Sequence, residues 1–119
     1  MPAFGREGML KREDIESVAD YVRSIAGLPV GKNANLTAGK AVFAATCAVC
    51  HSETGKGKRE LGSPDLTDAI WLYGPGREVI IDGLWNGRGG VMPAWVDRLD
   101  ESTIKALAVY VHTLGGGEK

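Results

Sequence analysis

Apolar residues near both ends of the chain recur at helical spacing. The first stripe predicts an amphipathic helix over Arg12–Ile25, which Gly27 and Pro29 end. The second stripe predicts a helix with Asp100 as its N-cap, ending at a run of glycines that starts at Gly115. The first stripe consists of Leu10, Ile15, Val18, Tyr21, Val22 and Ile25.

The two stripes belong to an internal repeat. Met1-Pro2-Ala3-Phe4 is similar to Met92-Pro93-Ala94-Trp95, which lies 91 residues further along the chain. From Leu10 onward the matching residues are 89 apart, beginning with Leu99. The remaining matches in the second stripe are Ile104, Leu107, Tyr110, Val111 and Leu114. We therefore expect residues 1–29 to be the C-terminal remnant of a preceding domain, 30–36 a linker and 37–117 a complete domain. The apolar face of the first helix would fold onto that domain, form a homodimer with a second chain, or fray.

The middle of the chain predicts further helices and no strands. Thr37 is the expected N-cap of a helix that runs toward Cys47, and a glycine-rich turn over 52–64 follows. Two more helices are predicted over Leu66–Leu72 and Pro75–Trp85. No segment alternates apolar and polar residues over any length, so the expected fold is all-α.

Composition narrows the classes of function. The 119 residues are 44% hydrophobic and 24% charged with a net charge of −1, which is typical of a globular protein and gives no support for nucleic-acid binding. No apolar run approaches the ~20 residues that span a membrane. No signal peptide is recognisable at the start.

Cys47-Ala48-Val49-Cys50-His51 holds the only two cysteines and one of the two histidines. Cys-x-x-Cys-His is the attachment signature of a c-type haem. Residues three apart share a helix face, so both thiols reach the two vinyl groups of one porphyrin, and His51 presents a ring nitrogen to the iron. The alternatives are a redox dithiol and a zinc site that recruits His112.

A closed haem site needs a second axial ligand, and the candidates are Met1, Met9, Met92 and His112. Met92 is favoured because glycines before it allow close approach to a flat ligand and Pro93 stiffens the loop after it. Met1 would then be the former ligand of a missing haem. Haem attachment takes place outside the bacterial cytoplasm, so we expect this sequence to be a piece of a longer exported protein.

The order of these elements resembles class I cytochromes c. Gly39, Phe43 and Tyr110 match the positions where the first and last helices of that family cross. The resemblance also implies that the Pro64 carbonyl orients His51. The implied fold is a bundle of helices around one covalent haem, with an extra N-terminal helix.

Two longer stretches resemble a narrower family. Residues 66–74 and 86–95 are similar to the second haem domain of the dihaem cytochrome c subunit, CcoP or FixP, of cbb3-type oxidases. The resemblance implies a periplasmic domain of a membrane-anchored subunit, without enzymatic activity of its own. It implies electron transfer from a donor cytochrome or the first haem domain toward the oxidase core subunits. A haem sensor in which Met92 is displaced is the alternative function.

Three further residues are candidate donors to the haem propionates. Arg88, Trp71 and Tyr73 carry N–H or O–H groups that a partly buried carboxylate needs. A surface charge for Arg88 and a core position for Trp71 remain equally good interpretations.

Overall fold

The computed structural model describes residues 1–115, and the elements within that range are helical, apart from one isolated bridge between Lys58 and Ser63. This confirms the all-α prediction. The predicted end of the domain at Gly117 lies outside the described residues. The helices are α1 (Arg12–Ile25), α2 (Leu36–Val42), α3 (Ala48–His51), α4 (Arg77–Asn86) and α5 (Glu101–Thr113), with a π-helical turn at Phe43–Cys47 and a 3-10 turn at Arg59–Leu61.

The chain forms two compact units, the first over Met1–Gly89 and the second from Gly90 onward. The core of the first unit is built from α1, α2, the π-helical turn, α3 and α4. Its buried hydrophobic residues are Phe4, Ile15, Val18, Ala19, Val22, Phe43, Cys47, Ala48, Ile81 and Leu84.

Helix α1 has the predicted bounds, and its apolar stripe is buried. Ile15 and Val18 are fully buried, and α1 packs against both α2 and α4. The Asp14 side chain accepts a bond of 3.3 Å from the Lys11 backbone N–H, and an acidic first turn suits the helix dipole. The first copy of the repeat therefore folds onto the rest of the first unit, and its apolar face is no longer an argument for a homodimer.

The start of α2 differs from the prediction. Asn35, and not Thr37, is the N-cap, and its side chain accepts a bond of 3.0 Å from the Ala38 N–H. Asparagine caps as well as threonine does, and the sequence offers both within three residues. A Cβ at Gly39 would overlap the Ser17 carbonyl oxygen and lie 2.8 Å from the Tyr21 Cβ, so only glycine lets α1 and α2 approach this closely.

The predicted helix over Leu66–Leu72 is wrong, because bends run over 66–69 and no helix forms in the rest of the stretch. Asp65 accepts a 2.7 Å bond from the Thr67 N–H, and Asp68 accepts one of 2.9 Å from the Ile70 N–H. Such local side-chain bonds compete with the helical ones. Helix α4 begins at Arg77 with Gly76 as N-cap, slightly later than predicted from Pro75.

The second unit contains the loop around Met92 and then α5. The predicted N-cap is confirmed, since Asp100 accepts bonds from the Thr103 N–H at 2.9 Å and from the Thr103 hydroxyl at 2.7 Å. These bonds hold the pKa of Asp100 below its ordinary value. Among the helices of residues 1–115, none combines the length and apolar character that a membrane crossing requires.

Candidate functional site

The Cys-x-x-Cys-His segment lies where a π-helical turn passes into α3. The turn ends at Cys47, and α3 carries Cys50 and His51. Phe43, at the start of the turn, is almost fully buried and anchors the segment in the core. Single π-helical turns inside α-helices are frequent at functional sites, because they change the direction of the side chains that follow.

The two thiols differ in exposure. Both are unpaired; Cys47 is buried and Cys50 is exposed. Burial, with a smaller contribution from Cys50, raises the pKa of Cys47 from 9.0 to about 11. A reactive redox dithiol needs the opposite shift, since the thiolate is the nucleophile. The burial and the raised pKa of Cys47 therefore do not favour a redox dithiol.

His51 has a fixed orientation. Its Nδ1 lies 3.1 Å from the Pro64 carbonyl oxygen. A carbonyl only accepts, so Nδ1 carries the proton in this bond and Nε2 keeps its lone pair. A metal-binding imidazole needs this arrangement, with one nitrogen donating to a carbonyl and the other free for the metal.

The loop between His51 and Pro64 folds back on α3. The Gly57 N–H donates to the His51 carbonyl at 2.9 Å, and the Ser63 hydroxyl donates to the Cys50 carbonyl. Gly57 has φ +79°, and a Cβ there would overlap the Ser63 carbonyl oxygen. The glycine-rich sequence of this loop therefore serves to bring the Pro64 carbonyl to the histidine.

Two of the three propionate candidates lie together. The Arg88 guanidinium lies over the Tyr73 ring, 4.1 Å from its centroid, and Arg88 also pairs with Asp82 at 3.6 Å. Trp71 instead donates its ring N–H to the Asp68 carbonyl at 3.2 Å. In this structure the Trp71 donor is bonded within its own turn, whereas the half-buried Arg88 and the exposed Tyr73 form one cluster.

The candidate second ligands are spread over the chain. Met92 belongs to the second unit, where it lies in the loop before α5 and is 83% exposed. His112 lies near the end of α5. Met1 and Met9 belong to the first unit and are also exposed.

The aromatic side chain that packs against Phe43 is not the one that the sequence predicted. Tyr21 of α1 packs against Phe43 with ring centroids 5.4 Å apart, at the place expected for Tyr110. The repeat contained the signal, because Tyr21 and Tyr110 occupy matching positions. The ion pair of the buried Asp20 with the half-buried Arg77 gave no comparable signal, since a lone aspartate in a helix is usually exposed.

Comparison with known proteins supplies the class. The family described as "Cytochrome C oxidase, cbb3-type, subunit III" matches residues 34–111. The chain is 53% identical over 118 residues to the cbb3-type oxidase subunit FixP of Bradyrhizobium diazoefficiens, covering 99% of this chain and 41% of the relative. It is 57% identical over 118 residues to FixP of Azorhizobium caulinodans, covering 99% and 40%. CcoP of Azospirillum sp. strain B510 is 47% identical over 125 residues, covering 99% and 41%.

An all-α fold with Cys-x-x-Cys-His on a helix defines the class of c-type cytochromes, and membership of that class implies haem c. Within it, the chain belongs to the family of subunit III of cbb3-type cytochrome c oxidases. The chain spans about two fifths of the length of the curated relatives it matches.

Proposed function

We propose that this chain carries one haem c, attached through thioethers to Cys47 and Cys50, with His51 and Met92 as the axial ligands of the iron. The observation that carries the proposal is the bond of 3.1 Å between His51 Nδ1 and the Pro64 carbonyl. That bond fixes the tautomer that leaves Nε2 available to iron, one residue after a free thiol. The residues present therefore fit the group that the family implies.

The proposed role is one-electron transfer. The haem supplies a reversible one-electron couple, and a thioether ligand raises its potential relative to a second imidazole. With His51 and Met92 both on the iron, no position remains for a substrate or for oxygen. The domain therefore passes electrons and catalyses no reaction of its own.

The proposed setting is a larger respiratory complex. Electrons would come from a donor cytochrome or from a first haem domain of the same subunit, and would go to the core subunits of a cbb3-type oxidase. The proposed location is the periplasmic side of the inner membrane, to which the longer subunit would be anchored. Residues 1–29 would be the tail of that first haem domain, with 30–36 as linker and 37–117 as the second domain.

Arg88 and Tyr73 are proposed to lie near the haem propionates. Their contact at 4.1 Å presents a guanidinium and a phenol from one cluster, which suits a carboxylate. Trp71 donates to a propionate only if its ring N–H gives up the bond to the Asp68 carbonyl.

The ligand assignment is tested by replacing Met92 with Ala. We expect the thioether–iron charge-transfer band of the oxidised protein to disappear and the reduction potential to fall, since a soft ligand to ferrous iron is lost. The matched control is Met9→Ala, which removes another exposed methionine of the chain and leaves both readouts unchanged.

An unchanged spectrum in the Met92 variant would contradict this ligand. If the wild-type protein lacks this band and readily binds carbon monoxide, the haem sensor is favoured instead. If no haem stays covalently bound after denaturation, the redox or zinc interpretation of the cysteines returns.

A further inference from the structure

The loop after the attachment motif caps the end of the helix that carries it. Helical structure runs from residue 36 to residue 51, and the last four carbonyls of a helix have no partner within it. Three successive carbonyls at this end each receive a donor from the loop. Lys58 Nζ donates to the Val49 carbonyl at 2.8 Å, the Ser63 hydroxyl to the Cys50 carbonyl, and the Gly57 N–H to the His51 carbonyl at 2.9 Å.

Lys58 is the charged donor among these three. A cation stabilises the C-terminal end of a helix, where the carbonyl dipoles leave a partial negative charge. A hydrogen bond from an ammonium is also stronger than one from a neutral group. Lys56, two residues earlier, instead pairs with the Asp65 carboxylate at 3.3 Å. The charge of Lys58 is therefore held against the attachment helix itself.

The backbone of Lys58 is fixed beside the segment that orients His51. Lys58 and Ser63 form an antiparallel bridge, in which the Lys58 N–H donates to the Ser63 carbonyl at 3.2 Å and the Ser63 N–H donates to the Lys58 carbonyl at 3.1 Å. Pro64 follows directly, and its carbonyl oxygen lies 3.1 Å from His51 Nδ1. Lys58 therefore connects the attachment helix, through its side chain, to the Pro64 segment, through its backbone.

We propose that Lys58 is a positioning residue of the haem site, whose ammonium holds the end of the attachment helix in place and favours the reduced state of the iron. The inference rests on the proposed function, since it concerns the haem that Cys47, Cys50 and His51 would hold. Oxidised iron carries one more positive charge than reduced iron, so a cation fixed at the attachment helix disfavours oxidation. A freely solvated lysine would contribute less, because water and salt screen its charge.

Lys58→Met tests the inference in the haem-loaded protein, because it removes the charge and the donor and keeps an unbranched side chain of similar length. We expect the ratio of oxidised to reduced protein at a fixed ambient potential to rise about threefold, as for the loss of one partly screened charge. Lys56→Met is the matched control, since it makes the same change of net charge in the same loop at an ammonium that pairs with Asp65. It should move the ratio clearly less. Optical redox titration measures both variants.

Two more variants separate the charge from the hydrogen bond, and keep the test decisive if Lys58→Met does not hold haem. Lys58→Gln keeps an N–H donor for the Val49 carbonyl without the charge, so the ratio should still rise. Lys58→Arg keeps both the charge and the donors, so the ratio should return to that of the wild type. Hydrogen exchange at the Gly57 amide, which bonds the His51 carbonyl, reports on the position of the helix end. It should be faster in Lys58→Met and close to wild type in Lys58→Arg.

Several results would overturn the proposal. A shift as large in Lys56→Met as in Lys58→Met would reduce the effect to net charge, and a wild-type ratio in Lys58→Gln would remove the charge from the explanation. Unchanged exchange at Gly57 in Lys58→Met would refute the positioning role. All of these results leave the proposed function standing, whereas a wild-type protein without covalent haem would overturn both.

Discussion

At the scale of single residues, Gly39 shows how closely two helices approach in this fold. Its missing side chain lets the Ser17 carbonyl of α1 lie directly against α2. The importance of a glycine here could be expected from the sequence, but its partner could not. Both copies of the repeat carry a tyrosine for the neighbouring contact, and only the structure distinguishes Tyr21 from Tyr110.

We predict that Gly39→Ala destabilises the protein by about 1–3 kcal/mol, because the added methyl meets a backbone atom that cannot move aside cheaply. Gly31→Ala is the control, since nothing lies within 4 Å of a Cβ there. Denaturant unfolding of both variants measures the difference. Equal midpoints for the two would show that α1 and α2 are further apart than described.

The two cysteines should also differ in reactivity in the haem-free chain. At pH 8 a thiol with a pKa of about 11 is ionised only to about one part in a thousand, and Cys47 is also buried. We expect iodoacetamide to modify the exposed Cys50 well before Cys47, as followed by mass spectrometry of the peptides. Unfolding in urea provides the control, because it should bring the two rates together.

At the scale of elements, helices with strong end signals were predicted well and the region between them was not. Helix α1 has the predicted bounds, and α5 has the predicted cap, since each combines an apolar stripe with a local stop or start signal. The stretch 66–72 has apolar residues at helical spacing too. There Asp65 and Asp68 bond to the backbone two residues on, and this local chemistry outweighs the spacing.

The cap of α5 gives a pH prediction. The pKa of Asp100 is lowered in the folded state, so its contribution to helix stability is present above the ordinary value of 3.8 and is lost as the pH falls below it. We expect the amide hydrogens of the first turn of α5 to exchange faster with solvent as the pH falls below 3.8, after correction for intrinsic exchange rates. Asp100→Asn keeps a capping oxygen without the charge, so its first turn should show little acid dependence. The same acid dependence in both proteins would contradict the assignment.

At the scale of the whole molecule, the first copy of the repeat is part of the core. Five of the ten buried hydrophobic residues among those described come from it, namely Phe4, Ile15, Val18, Ala19 and Val22. The sequence identified the copy, but not where it packs, because nothing in a repeat says which surface receives it. The attachment motif could be proposed because its residues are contiguous, whereas the contact of Pro64 with His51 was expected only from the resemblance to class I cytochromes c.

Removing residues 1–29 should therefore lower the thermal midpoint by about 10 °C or more, because half of the buried apolar side chains are lost. Haem attachment should survive, since Cys47, Cys50 and His51 lie outside the deleted segment. A midpoint unchanged by the deletion, measured by circular dichroism, would contradict this packing.

The partner of His51 is an atom of the main chain, and this has a consequence for how the site tolerates change. The acceptor at 3.1 Å is the Pro64 carbonyl oxygen, which carries no ionisable proton. It is also present whichever amino acid occupies position 64. Mutation can remove this acceptor only by altering the path of the backbone, as a side chain at Gly57 would, because its Cβ would overlap the Ser63 carbonyl oxygen.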